Sequence, residues 1–73
     1  MLSRKISGAK LRRIREDRCL RVAEVAEAVG CSHWNIYKIE KGTTQPSAYV
    51  YAALKAVLQV DDSDLVDASE GAA

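Results

Sequence analysis

Apolar residues recur at three- and four-residue steps through most of the chain, and the pattern is sharpest between Val22 and Glu40. There Val22, Val25, Ala26 and Val29 share one helix face at about 100° per residue. Gly30 stands where that pattern stops, in the slot where a helix ends on a left-handed backbone that glycine adopts cheaply. Cys31 is a small link, and Ser32 is placed to cap a second helical run. In that run Ile36 and Ile39 point inward, while His33, Trp34, Tyr37, Lys38 and Lys41 gather on the opposite side. Two aromatics, an imidazole and two ammonium groups on one short face are unusual for a merely solvated surface.

The same periodicity extends to both sides. Ser7 can cap a helix running to about Asp17, with Ala9 or Lys10, Leu11, Ile14 and Cys19 inside and Arg12, Arg13 and Glu16 outside. Leu20 is the apolar plug of the connection that follows. The next helix begins at Arg21 or Val22, a weakly specified start because arginine is a poor cap and valine a poor helix starter. Glu24 in its first turn suits the helix dipole.

Beyond Lys41 a polar loop carries Gly42 as a stop and Pro46 as the lead into a fourth helix. Ser47 caps or begins that helix, which extends to about Leu58 with Val50, Tyr51, Leu54, Val57 and Leu58 as apolar surface. Asp61 or Asp62 opens a short fifth helix ending near Val66, with Asp64 spaced as in a capping box. The expected fold is all-α, a compact five-helix bundle without strands or repeats. Residues 1–6 read as a flexible basic arm, 7–66 as the folded domain and 67–73 as a disordered acidic tail.

Composition narrows the function. A chain of 73 residues has room for one small core. No apolar run approaches the roughly 20 residues of a membrane span, and the start lacks the apolar stretch of a secretory signal. A cytoplasmic location is therefore expected.

The formal charge of +1 is divided unevenly along the chain. Through Pro46 ten Lys and Arg face five Asp and Glu, whereas from Ser47 onward one Lys faces five acids. A basic front and acidic back suit a protein that meets a polyanion with one side. Two helices joined by a glycine turn, the second with a base-reading outer face, are what helix-turn-helix recognition of DNA requires.

Cys19 and Cys31 are too few for a disulfide framework, and with His33 they match no zinc spacing. No nucleophile, paired-carboxylate or phosphate-loop pattern marks an enzyme. Neither a metal nor a cofactor is expected.

The ordered set Leu11–x–x–Ile14–Arg15, Val25–Ala26, Gly30, Ser32, Ile36, Ile39–Glu40–Lys41–Gly42, Pro46, Leu54, Leu58, Val60 and Leu65 resembles the Cro and phage-repressor, or XRE-like, helix-turn-helix family. The resemblance runs from Ser7 to about Val66. It implies a lambda-repressor-like domain whose second and third helices form the helix-turn-helix.

It also implies roles. His33, Trp34 and Lys38 match base-reading positions, with Tyr37 beside them. Arg21, Ser32, Asn35, Lys41, Thr43 and Thr44 are the phosphate candidates, since helix N-termini and short polar side chains anchor phosphates. Arg12 and Arg13 are weaker ones. Arg15 and Glu40 look like the family's partly buried ion pair, and each is a charge set in an apolar face.

Several positions depart from the family pattern. Arg21 replaces a small cap and Val22 a polar residue, so backbone N–H groups or Arg21 must serve a phosphate there. Cys19 and Gln59 stand where relatives carry glycine. The implied partner is double-stranded DNA, bound by a homodimer that is permanent, weak or formed on DNA, with Val60, Leu65 and Val66 as the expected contact. A regulatory protein partner is also allowed. The competing reading is an antitoxin-like or anti-repressor module that grips protein with His33, Trp34 and Tyr37.

Overall fold

The computed structural model describes residues 5–66. Five helices follow one another: α1 (Gly8–Asp17), α2 (Val22–Val29), α3 (His33–Lys41), α4 (Ala48–Leu58) and α5 (Asp62–Leu65). Among the described residues β pairing is limited to one isolated antiparallel bridge, Ile6 to Val66. No described helix is long and apolar enough to cross a membrane.

Local chemistry sets the helix starts. The hydroxyls of Ser7, Ser32 and Ser47 each accept the backbone N–H three residues on, at 3.2 Å, from Lys10, Asn35 and Val50. Ser47 thus caps α4 from outside. Arg21 has no acceptor to offer, and α2 is fixed from within: Glu24 Oε1 accepts the Arg21 N–H at 2.7 Å. Asp64 does the same for α5, accepting from Asp61 at 3.0 Å.

The four longer helices all end on one device. Cys19, Gly30, Gly42 and Gln59 are left-handed, with φ of 58°, 92°, 83° and 58°. The N–H of the next residue then reaches back five positions, from Leu20 to Arg15, Cys31 to Ala26, Thr43 to Lys38 and Val60 to Lys55, at 3.0–3.1 Å. Cys19 is therefore exposed and in the turn, not on the inner face of α1 as expected. It makes the left-handed turn although it carries a side chain.

A left-handed non-glycine residue costs about 1–2 kcal/mol, partly offset because glycine would loosen the unfolded chain. Cys19→Gly and Gln59→Gly are each expected to stabilise by about 0.5–1 kcal/mol in thermal melts. A fall in melting temperature for either would show that its side chain contributes more by packing than the turn costs.

The core draws on every helix: Leu11, Val25, Ala26, Val29, Ile36, Ile39, Tyr51, Leu54, Leu58 and Leu65 are buried. Ile6 joins them. The expected arm over residues 1–6 is thus corrected at its end, because Ile6 buries its side chain and pairs with Val66. Its N–H donates to Gln45 Oε1 at 3.0 Å. The Ser7 N–H donates to Leu65 O at 2.7 Å, and Lys10 Nζ to Val66 O at 2.8 Å. Residues 1–4, the rest of that arm, and the expected tail over 67–73 lie outside the described residues.

Leu65 also corrects the expected dimer contact. It is fully buried beneath its own domain, so it offers a second copy nothing. Further polar links tie α4 to its neighbours. Tyr51 Oη donates to Asp62 Oδ1, which also receives Lys55 Nζ, both at 2.7 Å. Arg18 Nε reaches Leu58 O at 3.2 Å.

Candidate nucleic-acid interface

The exposed face of α3 is set by the way the helix is seated. Ile36 and Ile39 fix one side of it in the core. At its far end the first residue of α1 passes so close that a Cβ built on Gly8 would lie 2.5 Å from the Ile39 carbonyl oxygen, and closer to that of Glu40.

Beside this contact Arg15 and Glu40 form a two-pronged pair. Arg15 Nε donates to Glu40 Oε2 at 2.6 Å and Nη2 to Oε1 at 3.1 Å. The remaining prong, Nη1, donates to Leu20 O at 2.8 Å. The two side chains keep 12% and 6% exposure. The hydrogen bonds that Arg15 donates to the Glu40 carboxylate raise the Arg15 pKa above its ordinary value, outweighing burial, which acts to lower it. A raised cation pKa gives stability that is complete below the unfolded-state value and lost only as pH rises through the folded one. Arg15 is therefore charged throughout the working range.

With its inner side held, α3 turns the other side to solvent. His33, Trp34 and Tyr37 are exposed and Lys38 is half-buried at the edge. Trp34 is 58% and Tyr37 41% exposed. Their rings stack with centroids 5.3 Å apart and planes 21° apart, and Lys41 Nζ sits 5.4 Å from the Tyr37 centroid. At about 100° per residue, Trp34 and Lys41 lie near the middle of the face and His33 and Lys38 at its two margins.

The phosphate candidates divide. Arg21 is exposed at the start of α2, but its backbone N–H is already held by Glu24, which leaves the guanidinium as its contact. Ser32 is exposed; its oxygen caps α3 and its hydroxyl proton can still be donated outward. Asn35 and Thr44 are half-buried. Thr43 Oγ1 donates to Lys38 O at 3.1 Å, so its hydroxyl first serves the turn. Lys41 is exposed over Tyr37.

Sequence reasoning missed one feature beside this face. An open groove of about 320 Å³ is lined by Arg12, Arg15, Val22, Tyr37, Glu40 and Lys41. Arg12 in it is paired with Glu16 at 3.1 Å. Its walls come from α1, α2 and α3, which no single-helix periodicity brings together.

Known proteins share this fold. A family model described as a helix-turn-helix domain matches residues 8–68. No curated protein is significantly similar to the chain in sequence. Among solved structures, the P22 c2 repressor in complex with synthetic operator 9T is 30% identical, with a TM-score of 0.72 over 74% of this chain and 82% of that one. The clp gene regulator ClgR from Corynebacterium glutamicum is also 30% identical, with a TM-score of 0.73 over 78% of this chain. The chain spans only 61% of ClgR's length. The restriction-modification controller protein C.AhdI from Aeromonas hydrophila shares the fold at a TM-score of 0.73 and 21% identity, covering 78% of this chain and 86% of that one. With α2, the Gly30 turn and α3 in place and the family model spanning residues 8–68, the chain belongs to the helix-turn-helix family of the Cro and phage-repressor type.

Proposed function

We propose that the protein is a sequence-specific DNA-binding transcriptional regulator that lays α3 in the major groove. The observation that carries this is the outer face of α3, exposed, aromatic and cationic on a helix held by Ile36 and Ile39 along its inner side and by the Arg15–Glu40 pair at its end. Lys38 suits the O6 and N7 acceptors of guanine. Trp34 suits the thymine methyl, since its exposed indole offers apolar surface and one donor. His33 donates or accepts according to tautomer, and Tyr37 stands with them. Arg21, Ser32, Lys41 and the loop at Thr43 and Thr44 flank this set as phosphate contacts, with Asn35 at its edge. A homodimer on a palindromic operator places two such helices roughly 34 Å apart. Such a protein works where the DNA is, in the cytoplasm or nucleoid. Relatives named as a repressor and a gene regulator support this reading.

The test is binding to promoter fragments and to duplexes selected from a random pool, across a salt series. Affinity is expected to fall steeply with salt, as phosphate contacts demand. The His33→Ala, Lys38→Ala double variant should lose about 1–3 kcal/mol of discrimination while keeping non-specific binding. Replacing the contacted thymine by deoxyuridine should weaken binding about fourfold, the worth of one buried methyl at about 0.8 kcal/mol. Wild type and double variant binding alike, without sequence preference, would overturn the proposal. A flat salt dependence would turn attention to a protein ligand for Trp34, as in an antitoxin-like module.

A further inference from the structure

Within the reading face one residue does something other than read. We infer that Tyr37 is a positioning residue whose ring, stacked on Trp34 and capped by Lys41, holds the indole ready for the base edge. This rests on the proposal that Trp34 reads DNA.

The spacing makes the stack possible, because Trp34, Tyr37 and Lys41 are three and four residues apart, the steps at which helix side chains meet. The rings are 5.3 Å apart and nearly parallel, within the range of favourable aromatic pairs. The ammonium of Lys41 lies 5.4 Å from the Tyr37 centroid, within cation–π reach. Trp34 otherwise has little to hold it, being more than half exposed.

A free indole on such a surface would sample several rotamers and be ordered only on binding, at a cost to affinity. The stack orders it beforehand. Tyr37 is also the less exposed of the two rings, and it faces the groove that includes Val22 and Arg12. Trp34 is left the foremost ring of the pair.

Trp34 is the single tryptophan of the chain, so its fluorescence reports on the stack directly. The experiment compares wild type, Tyr37→Phe and Tyr37→Leu. It measures time-resolved anisotropy of the indole in the free protein, and affinity for a duplex selected by the wild type and for a random duplex. Tyr37→Phe keeps the ring and is expected to match wild type throughout. Tyr37→Leu is expected to free the indole and weaken specific binding about two- to tenfold. Random-duplex binding should fall less than specific binding, and the variant should still unfold in one cooperative transition.

Three outcomes overturn the inference. An indole as rigid in Tyr37→Leu as in wild type removes the positioning role. Specific binding that survives a freed indole removes its purpose. A loss in Tyr37→Phe as large as in Tyr37→Leu assigns the hydroxyl to base reading instead. Trp34→Ala separates the underlying proposal: unchanged specific binding there shows that the indole does not read, whatever Tyr37 does.

Discussion

Gly8→Ala is expected to destabilise the domain by about 3 kcal/mol, at the upper end of overpacking costs, although alanine is the better helix former. Helix propensity alone favours the change by about 0.5–1 kcal/mol. Sterics decide the sign. The added methyl would meet the Ile39 carbonyl oxygen at 2.5 Å and the Glu40 carbonyl still closer, and both belong to backbone that cannot rotate away. The start of α1 and the end of α3 would have to separate. That movement would pull on the Ser7 cap and on the Arg15–Glu40 pair in the same region. For a domain this small, about 3 kcal/mol is a drop of roughly 12–24 °C in melting temperature. A thermal melt of the single variant checks it, and a melting temperature equal to or above wild type would show that the helices part at little cost.

The second large effect concerns that pair. Glu40→Ala or Arg15→Ala is expected to cost about 3–5 kcal/mol, because each leaves a nearly buried charge without its partner. Arg15 strands more, since its third prong holds Leu20 O across the connection between α1 and α2. Arg15→Lys should recover little, as an ammonium cannot make the two-pronged contact. Replacing both by apolar residues of similar size, Arg15→Met with Glu40→Leu, should restore most of the loss, since an ion pair out of water is a weak source of net stability. Urea unfolding of the four variants tests this. Single variants within about 1 kcal/mol of wild type, the range of exposed ion pairs, would show the pair to be effectively solvated.

Much of this architecture could be read from residue types at local spacing. Ser7, Ser32 and Ser47 announced three helix starts because a cap acts within three residues. Gly30 and Gly42 announced two stops for the same reason. The inner faces followed from periodicity, and so did the outer set on α3.

What escaped was what depends on distant partners. Ile6 looks like part of a loose arm until Val66, sixty positions away, is set beside it. Cys19 has the periodicity of an inner residue, yet the turn claims it first. Leu65 and Val66 look alike in sequence, and only packing shows that Leu65 is sealed in the core. The approach of Gly8 to α3 leaves no trace in either segment alone. At the site, residue types pointed to the aromatic and cationic face, but nothing in them told a reading ring from a supporting one. The placed side chains add the stack of the two rings and their unequal exposure. The capping spacing from Arg21 to Glu24 was present in the sequence, but its use of the Arg21 N–H bears on phosphate binding only once the atoms are placed.

The bridge from Ile6 to Val66 has a topological consequence. With the Ser7 N–H on the Leu65 carbonyl, a hydrogen bond closes the folded backbone between residues 7 and 65 into a ring. The ends of a ring are a matter of where it was opened. The bundle therefore sets residues 6 and 66 side by side. A domain of this shape can be set into a longer chain, or joined end to end, without asking its helices to move.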